Sequence, residues 1–120
     1  VVIDSRKGNI GGDPEGVTLY KTSSSEGYLI LSSQGDSKFN LYSRTAPYNY
    51  LGSFRVADGE VVDGVTITDG IAAINYPLNE DFPEGLLVVQ DNDNTREGDL
   101  LRQNFKLISF SEVIAALQLR

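Results

Sequence analysis

Asp13-Pro14-Glu15-Gly16-Val17-Thr18-Leu19 and, further along, Asp63-Gly64 with Thr68-Asp69-Gly70-Ile71-Ala72-Ala73 are two acidic turns that open the same strand pattern. A second pair repeats the relation. Gly27-Tyr28-Leu29-Ile30-Leu31 runs into Gln34-Gly35-Asp36, and Gly85-Leu86-Leu87-Val88-Val89 runs into Gln90-Asp91-Asn92. The steps, from Gly16 to Gly70 and from Gly27 to Gly85, are 54 and 58 residues. That spacing is near the length of one β-propeller blade, somewhat above the periods of the commonest propeller repeats.

Working outward from these turns, short apolar or alternating runs sit between Gly, Ser, Asn and Asp clusters and read as strands. The first unit holds Val17–Tyr20, Tyr28–Ser32, Phe39–Ser43 and Tyr50–Val56, a four-stranded antiparallel meander. The second supplies Ile71–Ile74, Leu86–Gln90 and Asn104–Ser109, and Val1–Asp4 reads as the outer strand of a preceding unit. The fold expectation is therefore all-β: part of a single β-propeller domain, with an outer strand over 1–5, a full blade over about 13–57 and a last blade over about 66–110. Ser109-Phe110-Ser111-Glu112 has the form of a capping box, and Phe110, Val113, Ile114 and Leu117 follow at helical spacing, so a short amphipathic helix is expected over about 110–118. Closed propellers need about four to eight blades, and two alone leave long edges and bare apolar faces. The remaining blades are expected from the same parent protein or from other chains.

Composition narrows the chemistry. The 120 residues contain no histidine and no cysteine, which removes Ser-His-Asp and Cys-His arrangements, thiolate chemistry and the usual zinc ligands. A net charge of −7 repels nucleic acid and anionic membranes, and no stretch is long and apolar enough for a membrane span. The simplest partner for such a chain is a cation, although an acidic surface also serves solubility. The first residues lack the pattern of a signal peptide, so a mature chain or a piece of a longer one is expected.

Calcium takes oxygen ligands from carboxylates, carbonyls and water, and acidic Gly-containing turns supply them. Asp13 and Glu15 flank Pro14, which stiffens the turn; Asp-Pro-x-Gly is also an ordinary turn. Asp63 and Asp69 precede the next inner strand, where propeller ligands collect. The run from Asp91 to Asp99 is the densest in oxygen ligands but is no EF-hand, since Arg96 stands where that loop needs glycine. It reads as a calcium loop of another kind or as a solvated polar loop. Gln34 and Gln103-Asn104 read as satisfying backbone groups at strand ends.

Taken together, the segments Gly12–Tyr20, Gly27–Ser37, Leu51–Val56, Asp63-Gly64, Thr68–Ile71, Gln90-Asp91 and Gln103-Asn104-Phe105-Lys106 closely resemble the C-terminal third of the β-propeller phytases. The resemblance implies a six-bladed propeller, secreted or periplasmic, that removes phosphate from phytate (myo-inositol hexakisphosphate) with calcium in its site. It implies that Asp13, Glu15, Asp63 and Asp69 join a calcium cluster, with Glu15 and Asp69 acting in catalysis through calcium. It implies too that Asp91, Asp93 and Asn94 hold a structural calcium. The absent histidines and cysteines exclude the other phytase classes. Two departures stand out: Ile67 occupies a position where the family commonly has aspartate, and the family's phosphate-contacting Lys, Arg and Tyr residues lie in earlier blades. The chain alone is thus expected to be inactive. A non-catalytic calcium-binding propeller module and a small β-sandwich with solvated acidic loops are the other readings.

Overall fold

The structure, a computed structural model, describes residues 1–96 and 98–119. Four strands, β1 (Pro14–Lys21), β2 (Gly27–Ser33), β3 (Lys38–Ser43) and β4 (Tyr50–Phe54), form an antiparallel sheet in the order β1-β2-β3-β4. A second sheet orders β5 (Ile71–Ile74), β6 (Leu86–Asp91) and the later β9 (Asn104–Ser109), again antiparallel. Between β6 and β9 a small hairpin pairs β7 (Thr95–Arg96) with β8 (Asp99–Leu100), inside the run read from sequence as a loop. One helix, α1 (Phe110–Leu117), follows β9 directly. Among the described residues the chain is all-β apart from this helix and a single 3-10 turn over Gln34–Asp36.

Strand alternation decides which faces meet. In the first sheet Tyr20, Ile30, Phe39 and Leu41 face inward; Leu87, Val89 and Ile108 answer from the second, and Val65, Phe110 and Val113 close the cluster. The Tyr20 ring stacks on Phe110 with centroids 3.5 Å apart, and its hydroxyl donates to the Glu84 carbonyl at 2.6 Å. A buried tyrosine thereby satisfies its polar end while its ring joins the two sheets through the helix. The free edges β1 and β5 also lie side by side, with the Ala73 amide donating to Thr18 Oγ1 at 3.1 Å. The acidic residues preceding both strands are therefore delivered to the same end of the molecule.

Two sequence expectations change. Val1–Asp4 forms no strand, because an extended segment needs a ladder partner and no described strand pairs with it. Instead Val1, Val2 and Ile3 lie near the outward face of the first sheet, lining an apolar cavity with Val17, Leu29 and Leu31. The capping box is not made either: the Ser109 side chain makes no cap hydrogen bond and stands 3.3 Å from Ser111 Oγ. The helix closes better than it opens. Gln118 turns left-handed at φ 53, the Gln118 amide reaches Ala115 O at 3.3 Å and the Leu119 amide reaches Ile114 O at 3.0 Å.

Helix α1 packs on β4 at Gly52, which has φ +137 and lies beside a register shift that leaves Leu51 without a direct partner. A Cβ at Gly52 would meet Leu117 Cδ2 at 3.0 Å. Gly52→Ala combines an unfavourable backbone angle with pressure on the helix, and thermal melting should record a loss of about 1–2 kcal/mol.

Candidate functional site

The site is built where the strands of both sheets end. The loop before β1 docks on the 3-10 turn through Gln34 N to Asp13 O at 3.1 Å and Gly35 N to Gly12 O at 3.0 Å. Asp13 takes φ 45, which aspartate tolerates better than most residues, and both Asp13 and Glu15 are exposed. Behind them Gly16 lies so close to the next acidic turn that a Cβ there would be 2.4 Å from Asp69 O. Glycine is thus required at position 16, and its consequence is that the Asp13–Glu15 turn and Asp69 are neighbours.

Asp69 is held by two amides. Its backbone N–H donates to Gln90 Oε1 at 3.0 Å, and its carboxylate accepts from Gln34 Nε2. Gln34 therefore does more than satisfy backbone; its place at the C-terminal end of β2, opposite the acidic turn, was the signal available in the sequence. The same segment is pinned by Ser32 Oγ donating to Thr68 O at 2.5 Å and by the Asn92 amide donating to Thr66 O at 3.2 Å.

The other predicted ligands are gathered around an ammonium group. Lys106 Nζ stands 2.6 Å from Asp63 Oδ1, 2.6 Å from Asp91 Oδ2 and 2.7 Å from Gly64 O, so its three protons are matched to three acceptors. The free oxygens are engaged as well: Asp91 Oδ1 accepts from Thr66 N at 3.1 Å and Asp63 Oδ2 from Thr95 N at 2.8 Å. Asp91 is fully buried. The Lys106 and Thr95 hydrogen bonds lower the Asp63 pKa from its ordinary 3.8. Burial by itself would lower Lys106, but its bonds to Asp63 and Asp91 outweigh that and raise it above 10.5. Asp93 accepts from its neighbour Asn92 at 2.9 Å, and Asn94 Nδ2 donates to Arg102 O at 3.1 Å. Asp91 thus faces inward to Lys106, whereas Asp93 and Asn94 remain in the loop. The sequence pattern assigns Lys106 no role, because a lone lysine in a strand carries no sign of its partners. Among the described residues no three carboxylates converge closely enough to hold a metal by themselves.

Two expectations follow from this geometry. Ile67 has φ 50, costly for a β-branched side chain, so Ile67→Asn should raise the melting temperature by an amount equivalent to about 1 kcal/mol. Lys106→Met leaves two carboxylates facing each other without their cation, and chemical denaturation should show a loss of about 3–5 kcal/mol at neutral pH. The sign with pH is fixed by the two shifts. The Asp63 contribution is present above pH 3.8 and is lost as pH falls through its lowered value; the Lys106 contribution is present below 10.5 and is lost as pH rises through its raised value. The difference between native protein and Lys106→Met should therefore be widest between these limits and shrink toward both extremes.

Comparison with known proteins bears on what these turns are for. The family model described as Phytase matches residues 1–119. A curated 3-phytase of Bacillus subtilis (strain 168) is 36% identical over 113 residues, covering 93% of this chain and 30% of the relative. The chain thus spans less than a third of that relative's length. The matched region contains both acidic turns, the Gln34 and Gln90 amides and the Lys106 strand, and a match running from the first residue to the last described one means that the chain belongs to the phytase family.

Proposed function

We propose that this chain is the metal-rich end of a calcium-dependent phosphomonoesterase that removes phosphate from phytate, working in a secreted or periplasmic setting. The observation that carries the reading is the junction of the Asp13–Glu15 turn with Asp69, enforced by Gly16, in a chain of the phytase family. The donor set suits calcium: it is entirely oxygen, and among the described residues the Asp13 and Glu15 carboxylates have no side-chain partner competing for them. Calcium held there would neutralise phosphate charge, polarise a phosphoryl oxygen and make a bound water more acidic.

The chain's own residues have definable parts. Pro14 stiffens the turn so that Asp13 and Glu15 present oxygens from fixed positions. Gln34 donates to the Asp69 carboxylate and Gln90 accepts from the Asp69 backbone N–H, so the side chain and its backbone are both held before a substrate arrives. Asp63, bound to Lys106, anchors the connection that carries Asp69, and Asp93 and Asn94 offer oxygens for a structural calcium. In the overall reaction a water oxygen bonds to phosphorus, the phosphorus–ester oxygen bond breaks, and the proton ends on the released inositol hydroxyl.

A six-bladed propeller is the architecture we propose for the whole protein, with this chain supplying about two blades. Two features support it. The edge strands β1 and β5 are adjacent, as inner strands of neighbouring blades are, and the far face of the second sheet stays apolar, with Phe105 71% and Leu107 56% exposed. An uncovered apolar sheet face fits against a further blade. The second reading is a non-catalytic calcium-binding module, which needs the same acidic turns but no phosphate-contacting residues from other blades.

The readings separate by activity. In the full-length protein with calcium, Glu15→Gln and Asp69→Asn should each lower kcat/KM for phytate by about a hundredfold or more, while the 120-residue chain alone releases no phosphate. Unchanged turnover in both variants contradicts the catalytic reading, and a full-length protein that binds calcium without hydrolysing phytate supports the module.

A further inference from the structure

We propose that Arg6, Lys7 and Lys38 form a phosphate-binding subsite beside the acidic turn, taking a phosphate group of a phosphorylated polyol. The proposal rests on the phytate reading for the identity of that polyol, and on the following geometry for the site itself.

The three side chains, with Gly11, line one open cavity of about 620 Å³. In a chain of net charge −7 this is a local reversal of sign. Among the described residues neither Arg6 nor Lys7 has a carboxylate within salt-bridge distance. Three other cations are engaged elsewhere: Arg44 binds three carbonyls of the β1–β2 loop, Arg55 binds Asp36 O, and Lys106 is enclosed by Asp63 and Asp91. Lys38 is paired with Asp36 at 3.1 Å, so that, among the described residues, Arg6 and Lys7 are the two cations of this cavity without a salt-bridge partner.

The basic turn is held in place rather than left to solvent. Asp4 sits at its base, where Oδ1 accepts from Ser5 N at 2.7 Å and Asn9 N at 3.1 Å, and Oδ2 accepts from Tyr42 OH at 2.7 Å. Gly8 N donates to Ser5 O at 2.9 Å to close the turn, and the buried Asn40 side chain donates to Asn9 O at 2.9 Å. Burial alone would raise the Asp4 pKa, yet the Tyr42 hydroxyl and the Ser5 and Asn9 amides lower it below 3.8, so the anchor stays ionised at neutral pH. A preorganised cationic turn loses little entropy when it takes up an anion.

Position links this turn to the proposed metal site. The Arg6 guanidinium lies over the loop before β1, where a Cβ at Gly12 would be 3.2 Å from Nη2. Arg6 lines a second cavity, of about 400 Å³, together with Asp13 and Pro14. It therefore borders both the acidic turn and the basic cavity. A polyphosphorylated ring with one phosphate at the acidic turn would bring another within reach of Arg6, Lys7 and Lys38, each able to donate charge-assisted hydrogen bonds.

The test is calorimetric titration of the protein with myo-inositol hexakisphosphate in EDTA, so that only protein charges act. Arg6→Ala combined with Lys7→Ala should weaken binding about tenfold, Lys38→Gln should weaken it less, and Lys21→Ala, at the opposite end of β1, should leave it unchanged. Thermal melting of each variant checks that the fold is retained, and Lys38→Gln carries the test if the double variant does not fold. Absence of binding by the native chain, or equal weakening by Lys21→Ala, overturns the subsite. So does unchanged affinity in both basic variants. Loss of binding in these variants alongside a full-length protein that does not hydrolyse phytate keeps the subsite and removes the phytase reading.

Discussion

The ammonium of Lys106, lodged between Asp63 and Asp91, is the interaction on which the ligand-bearing end of this chain depends. It joins the last strand to the end of β6 and to the long connection that leads into β5, three segments far apart in sequence. Its cost is the removal of one cation and two anions from water, and its gain depends on every proton finding an acceptor. That condition is met by the two carboxylates and Gly64 O. With the connection fixed, Thr66 and Thr68 can lock onto Asp91 and Ser32, and Asp69 arrives beside Gly16. The position of one exposed carboxylate is thus set by a buried ion pair.

Charge is arranged along this end in a definite order. The acidic turns stand at the mouth of the two sheets, whereas the basic turn of Arg6 and Lys7 stands beside them on the outward face of the first sheet. If the proposed substrate is right, a physical difficulty has to be met, because a dense polyanion and a chain of net charge −7 repel each other. The hard cation proposed for the acidic turn and the proposed group of fixed cations next to it would act on the same difficulty from two sides. The left-handed angles of Asp13 and Ile67 lie within the loops that carry the acidic turns.

Much of the fold was legible because strand alternation and turn chemistry are local. Seven of the eight expected strands form within two or three residues of their predicted limits, with β9 matching at both ends. Val1–Asp4 forms no strand: an apolar, β-branched run indicates extended backbone but carries no information about a ladder partner. The capping box was misread because Ser109 and Glu112 have the right spacing, yet a serine in a packed strand-to-helix junction need not turn toward the amides it could cap. Lys106 shows a different limit. In Phe105-Lys106-Leu107 the hydrophobic residues point outward and the lysine inward, the reverse of what polarity suggests for a half-buried strand. Tertiary facts explain it: Lys106 pairs with Val89, which sets it diagonally across from Asp91, and the connection returns Asp63 to the same point.

The central claim is that the joined acidic turns bind calcium, and thermal melting of the chain in calcium and in EDTA tests it most directly. The account predicts that saturating calcium stabilises the native chain, by about 2.7 kcal/mol at a hundred times Kd, and that Asp13→Asn with Glu15→Gln removes most of this gain without lowering stability in EDTA. Melting that is identical with calcium and with EDTA would contradict it, leaving the acidic turns as solvated surface.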